Sequence, residues 1–200
     1  MSVVQLHKGS LAYLIGGEIR MAMPQLTPQQ IAQVSGLVAQ YIAEKRASYA
    51  PRAVPLSAHQ VAQMQGFFAP ELLNGTRLLV LQGERVPNPD FYPMLAALGF
   101  ANLPDQSAMN AITFSDVVVS HGPFSSGLLF HELVHVEQYR HLGIPTFAGL
   151  YVRGFLSGGG YDGIPLEVHA YSVGMRYEGN PAGQFSVANE VRQWIAEGRY

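Results

Sequence analysis

The sequence contains no cysteine. Disulfides and thiolate metal sites are therefore excluded, and any metal has to be held by His, Asp or Glu. The absence fits a reducing compartment, and the expected location is the cytoplasm. Charge is also scarce: charged residues make up 13% of the chain against 48% apolar, the reverse of a disordered protein. Lys+Arg (12) and Asp+Glu (14) nearly cancel to a formal net charge of -2. No general basic field draws nucleic acid, and nucleic-acid binding is set aside. No apolar run approaches the ~20 residues of a membrane span. Leu11 to Gly17 is apolar but short, and the charged stretch Glu18-Ile19-Arg20 follows it, a poor match to a cleaved signal. Secretion, where it occurs, is expected by a signal-independent route.

What is present is enough apolar material, in 200 residues, for one domain with a real core. Residues 1–23 form an ill-defined leader with room for one short strand or helix. Thr27-Pro28 opens a helix whose apolar residues, from Ile31 to Ile42, recur at helical spacing to about Ser48. This leader and helix, residues 1–50, read as an N-terminal appendage to a main domain of residues 51–200. Ser57 caps a second helix to about Phe68, ended by Ala69-Pro70. Asn74-Gly75 reads as a turn, Thr76 to Leu81 as a strand, and a short helical stretch follows Asn88 and ends at Gly99. Ala111 to Phe114 and Val117 to Ser120 read as a hairpin around Ser115-Asp116. A long helix then runs from about Ser125 to Leu142, stopped by Gly143 and Pro145. Three more helices are expected, at about 146–157, 165–178 and 185–197, the first two joined by a flexible Gly158–Gly160 linker able to act as a lid. The sum is an α+β fold, mainly helical, with a small sheet just before the key helix.

That helix carries His131-Glu132-Leu133-Val134-His135. Two histidines four apart lie on one helix face about 6 Å apart along the axis, so both imidazoles can reach one ion. Glu132 projects about 100° around the helix, beside the metal and not on it, where it can take a proton from an activated water. Chance alone produces this pattern in roughly one such chain in a hundred. The competing reading is a surface helix with two solvated histidines. Apolar Leu129, Phe130, Leu133, Val134, Val136 and Tyr139 argue for a buried helix instead, and burying these polar groups without partners costs several kcal/mol.

One Zn2+ held for catalysis needs a third protein ligand. The candidates are His121, Glu137, His141, Asp162, Glu167 and His169. Six residues on from His135, His141 falls on the opposite helix face, and Glu137 is rotated about 200° away. The metzincin continuation fails because Gln138 stands where its glycine belongs. Glu167 is the best candidate: it lies 32 residues beyond His135, at the start of a later helix, with small Ala170 allowing close helix approach. A helix-start carboxylate favoured by the macrodipole is the bland alternative, and both can hold. His169 is the rival, on a different face.

The stretch from Ala111 to Arg176 resembles the DUF4157 domain family, gluzincin-type metallopeptidases of bacteria. The resemblance is carried by the strand Ala111 to Phe114, Ser120-His121-Gly122-Pro123, Leu129 to Val136 with Gln138-Tyr139, Tyr151-Val152-Arg153, and Ile164 to Tyr171. Residues 57–81 are similar to that family's helix-then-strand entry. The resemblance implies a zincin-like fold and Glu167 as third ligand. The family also resembles domains carried with contractile injection systems, some of which bind or process partners, so the resemblance implies zinc more strongly than any substrate.

Supporting roles are assigned by chemistry. His121, in the strand-to-helix loop, can orient substrate or stabilise an oxyanion, or simply hold a turn. Tyr161, ahead of Tyr171, can donate to an oxyanion. Asp162 can hold a ligand histidine's outer nitrogen, and Arg153 can bind a carboxylate. Three functions follow: a zinc hydrolase acting on peptide or protein, a non-catalytic zinc domain that recognises a partner protein, and a metal-free helical binding module. Nothing in the sequence fixes an oligomeric state.

Overall fold

Two helices begin with the same device. Thr27 and Ser57 each accept from the backbone N–H three residues on, and Gln30 and Gln60 reach back to the cap N–H, satisfying two otherwise orphaned donors at each start. They open α1 (Pro28–Tyr49) and α2 (Ala58–Met64). The computed structural model describes residues 3–6, 10–15, 18–21, 25–100, 102–158 and 160–200. Parts of the expected leader, including Lys8 and Gly16-Gly17, and Gly159 of the expected joint, lie outside the described residues.

Within the leader, β1 (Val3–Leu6), β2 (Ser10–Ile15) and β3 (Glu18–Met21) pair as a three-stranded antiparallel sheet, more than the single element expected there. A second sheet has the order β4 (Val54–Pro55), β5 (Arg77–Val80), β7 (Val117–Ser120), β6 (Ala111–Phe114). β5 and β7 are parallel; β6 and β7 form the expected hairpin, Phe114 facing Val117. All four β7 residues are buried, because helices cover both faces of the sheet. On one face Leu79, Phe114, Val117 and Val119 pack with α1 and the second arm of α5. On the other, Leu78 and Val118 pack with α2, α3 (Pro70–Gly75), the first arm of α5, α6 (Pro165–Gly179) and α7 (Val187–Ala196).

The N-terminal helix is therefore not an appendage. Val34, Ile42 and Tyr49 share one apolar cluster with Phe114 and Phe147. Tyr41 meets Phe114 edge-on at 6.0 Å and Tyr49 stacks on it at 5.9 Å. A boundary at residue 50 cuts through this cluster. Other departures are local. The helix expected to run to Phe68 stops at Met64, and Pro70 instead occupies the first position of α3, so Asn74-Gly75 closes a helix and is not a free turn. The helix expected from Asn88 is confined to α4 (Tyr92–Ala97).

The long helix α5 spans Ser126–Gly158 with a break at Gly143, whose φ of 70° favours glycine. The expected stop is thus a sharp bend between two helical arms, 126–142 and 144–158. Tyr139 and Phe147 stack across it at 3.8 Å. Phe130, fully buried, stacks on Tyr177 of α6 at 4.3 Å and pins the first arm to its partner; truncation to Ala at such a site costs about 3–5 kcal/mol. The return to α6 is tight. A Cβ on Gly154 would lie 2.6 Å from Pro165, and one on Gly158 2.4 Å from the Gly163 carbonyl, so the glycines here permit close packing and the plain linker reading fits better than a lid. Among the described residues no helix is long and apolar enough to cross a membrane.

Two measurements test the hairpin. Ser115 has a φ of 63°, the left-handed value that glycine adopts freely. Ser115→Gly is expected to raise the unfolding free energy by about 1 kcal/mol in denaturant titration. Its neighbour Asp116 receives Arg46 of α1 through two hydrogen bonds, one of 2.8 Å from Nη2 to Oδ2. Partial burial disfavours the charged carboxylate, but Arg46 outweighs it and holds Asp116 below its ordinary pKa. A depressed pKa contributes stability above the unfolded-state value and loses it as pH falls through the folded-state value. Asp116→Asn is accordingly expected to cost no more than about 1 kcal/mol at neutral pH, given the pair's exposure. The gap between variant and parent closes once the pH is below the pKa of folded Asp116.

Candidate metal centre

One turn of α5 presents both motif histidines to the seam with α6, and Glu167 enters from the first turn of α6, where the helix N-terminus favours a carboxylate. His131 Nε2 and His135 Nε2 are 3.1 Å apart, and Glu167 Oε2 lies 3.4 Å from each. Two nitrogen ligands about 2.05 Å from a tetrahedral ion stand roughly 3.3 Å apart. The observed triangle has those dimensions. Glu167 Oε2 is buried and has no hydrogen-bond partner among the described residues, which is uncommon for a buried carboxylate oxygen. Residues 131, 135 and 167 are the one group of metal-capable side chains found together among the described residues, and they can hold a metal ion.

The electrostatics agree. Burial opposes an imidazolium at His135, yet the Glu167 carboxylate, ahead of Glu132, raises its pKa to about 9. Burial likewise opposes charge on Glu167, but the histidines hold it well below the ordinary carboxylate range. The pocket is thus built around one anion that favours positive charge beside it. His135 Nδ1 donates to Gln138 Oε1 at 2.8 Å, so that in the neutral ring the lone pair is on Nε2, the nitrogen that faces His131 and Glu167.

Glu132 is buried beside this cluster. Thr113 Oγ1 of β6 donates to its Oε2 at 2.6 Å, and Oε1 has no hydrogen bond to a described residue. Tyr161, in a single 3-10 turn before α6, borders the same space as Glu132 and Glu167; burial and then the Glu167 charge raise its pKa, so its phenol keeps the proton. Tyr171 is half-exposed and lies 4.5 Å from the His131 ring.

His121 is a correction. Its Nε2 accepts from the Val86 N–H at 3.0 Å and its Nδ1 donates to the Met109 carbonyl at 2.5 Å. Both nitrogens are spent joining loops, and the ring borders neither cavity at the metal cluster. Asp162 is exposed, and Gln138, not Asp162, holds the outer nitrogen of His135. Arg153 is exposed and makes no ion pair with a described residue. Glu137 is buried on the far face with His141 at 3.0 Å and Arg140 at 3.3 Å, as the helix geometry requires. His169 turns toward Tyr200 and Trp194 instead, and burial, ahead of Arg199, lowers its pKa to about 4.

Two cavities meet at the cluster. An inner one of about 110 Å³ is walled by Tyr41, Phe91, Ile112, Phe147 and Tyr151, and reaches His135 and Glu167. An open cleft of about 610 Å³ is bordered by Met109, Leu128, Tyr171, Met175 and Glu178. His131, Glu132 and Tyr161 border both. Three contributors were not singled out as site residues in the sequence: Thr113, Gln138 and Tyr200. Gln138 carried a signal, being an amide in an apolar helical run; Thr113 and Tyr200 carried none.

No family model matches the chain, and no curated protein or solved structure matches it. The resemblance seen in residues 111–176 stands on those residues alone.

Cation binding is expected to stabilise the fold. In calorimetry, a free cation concentration 1,000 times the Kd adds about 4 kcal/mol. Replacing Glu167 with Gln is expected to remove that gain while leaving metal-free stability within a few kcal/mol.

Proposed function

We propose that this protein is a zinc-dependent hydrolase of the gluzincin type, acting on a peptide or protein, related to the DUF4157 group. His131, His135 and Glu167 hold one zinc ion. The single observation that supports this most is the triangle of two imidazole nitrogens and one carboxylate oxygen with a second, separate carboxylate beside it. A structural site has no use for the second carboxylate; a hydrolytic one does. When bound, the cation supplies Lewis acidity, which makes water a competent nucleophile near neutral pH and polarises a carbonyl group.

Glu132 is the general base. Thr113 anchors Oε2, leaving Oε1 to accept the proton of the attacking water and deliver it to the departing amine. Tyr161, protonated and bordering the same space, donates to the oxygen on which negative charge develops. The inner cavity, lined mostly by apolar and aromatic side chains, takes an apolar side chain next to the scissile bond and keeps bulk water from the reacting groups.

One observation favours a second reading. Val168, Tyr171 and Met175 are exposed large apolar residues of α6 at spacings of three and four, hence one stripe, and two of them border the open cleft. Such a stripe suits a zinc-bound domain that recognises a partner without cleaving it. Glu132→Gln separates the readings. With hydrolysis, the variant keeps one zinc per chain by elemental analysis and loses at least about 100-fold in turnover of a mixed peptide library. Retained turnover overturns the base assignment; a zinc-loaded parent inert toward every peptide supports recognition alone.

A further inference from the structure

Behind the ligands lies a buried polar chain that the hydrolytic reading does not use. Gln138 is fully buried on the first arm of α5. Its Oε1 accepts from His135 Nδ1 at 2.8 Å, and its Nε2 donates to the Leu166 carbonyl at 3.0 Å and to the Tyr200 hydroxyl at 3.4 Å. Leu166 immediately precedes Glu167. One side chain thus holds the ring of one ligand and the backbone next to another. The Tyr200 hydroxyl lies 2.7 Å from His169 Nδ1. His169 is fully buried on α6, and Trp194 of α7 stacks on it at 4.1 Å with the planes 15° apart. The residues that follow α7 therefore reach within two hydrogen bonds of a candidate metal ligand.

We infer that Gln138 and Tyr200 are positioning residues of the metal centre, coupling the C-terminal segment to metal affinity. This rests on the metal-binding reading above. Gln138 uses its acceptor and both amide protons. With Oε1 toward His135 it presents N–H groups to Leu166 and Tyr200, and flipping the amide would break all three bonds at once. Tyr200 selects that orientation: its hydroxyl accepts from Gln138 and donates to His169, and His169 Nε2 is left buried without a hydrogen-bond partner among the described residues. Removing the hydroxyl unpairs one Gln138 N–H and His169 Nδ1, both on fully buried side chains. The amide and α6 are then free to shift, and the carboxylate at 167 no longer holds its distance from the two Nε2 atoms. Partners of this kind around ligating histidines typically change metal affinity 10–100-fold.

The experiment measures Zn2+ affinity by chelator competition in the full chain for the parent, Tyr200→Phe, Gln138→Met and a control, Val191→Ala. Val191 is fully buried on α7 but belongs to the apolar cluster and not to the polar chain. Cobalt substitution supplies a second readout, since its visible absorption reports ligand geometry and not stability. Expected are a loss of about 10-fold in Zn2+ affinity for Tyr200→Phe and about 10–100-fold for Gln138→Met, each with an altered cobalt spectrum. Val191→Ala lowers the unfolding midpoint without changing either. Parent-like affinity and spectrum in Tyr200→Phe overturn the inference and leave the metal centre standing. A parent that binds no zinc overturns the metal centre itself.

Discussion

Everything in this protein that resembles chemistry turns on one buried anion. Glu167 is a carboxylate in a nearly dry seam between two helices, 3.4 Å from two imidazole nitrogens. An isolated carboxylate there would be far too costly to keep ionised. Either a proton on the imidazoles or a cation between them has to accompany it, and the fold around the seam is arranged to hold all three groups still. Phe130 on Tyr177 fixes the two helices face to face, and the stack of Tyr139 on Phe147 holds the bend beyond the motif.

The sheet contributes more than a core. β6 brings Thr113 against Glu132, so the orientation of the proposed base is set by a strand and not by the helix that carries it. The same strand buries Phe114 among Tyr41 and Tyr49, which makes α1 a wall of the domain. Site and scaffold are joined through a four-residue strand.

Much of this was legible in the residues. The Thr27-Pro28 signal located the start of α1, the helices expected at about 165–178 and 185–197 match α6 and α7 to within two residues, and the spacing of histidines put both on one helix face. Glu167 was readable because few carboxylates lie at a distance that allows a helix and a return. What could not be read was tertiary. Helical spacing shows that α1 has an apolar face but not what covers it, so Val34 and Ile42 gave no hint of Phe147. His121 drew attention by its place before the motif, whereas its two nitrogens serve backbone groups at Val86 and Met109, remote in sequence. The partners of Gln138 illustrate the same limit: 28 residues separate it from Leu166 and 62 from Tyr200.

The glycine at 154 has an implication for how such a centre tolerates change. It carries no function of its own and sits about one turn before the end of α5, yet Pro165 and Ile164 leave no room for even a methyl group there. Any side chain at 154 would wedge the return segment outward, and the displacement would be passed along the rigid start of α6 to the carboxylate two residues after that proline. A chemically silent position thereby acts as a gauge block for the distance between Glu167 and the two histidines, and drift at that residue would loosen the cluster without altering a single polar group.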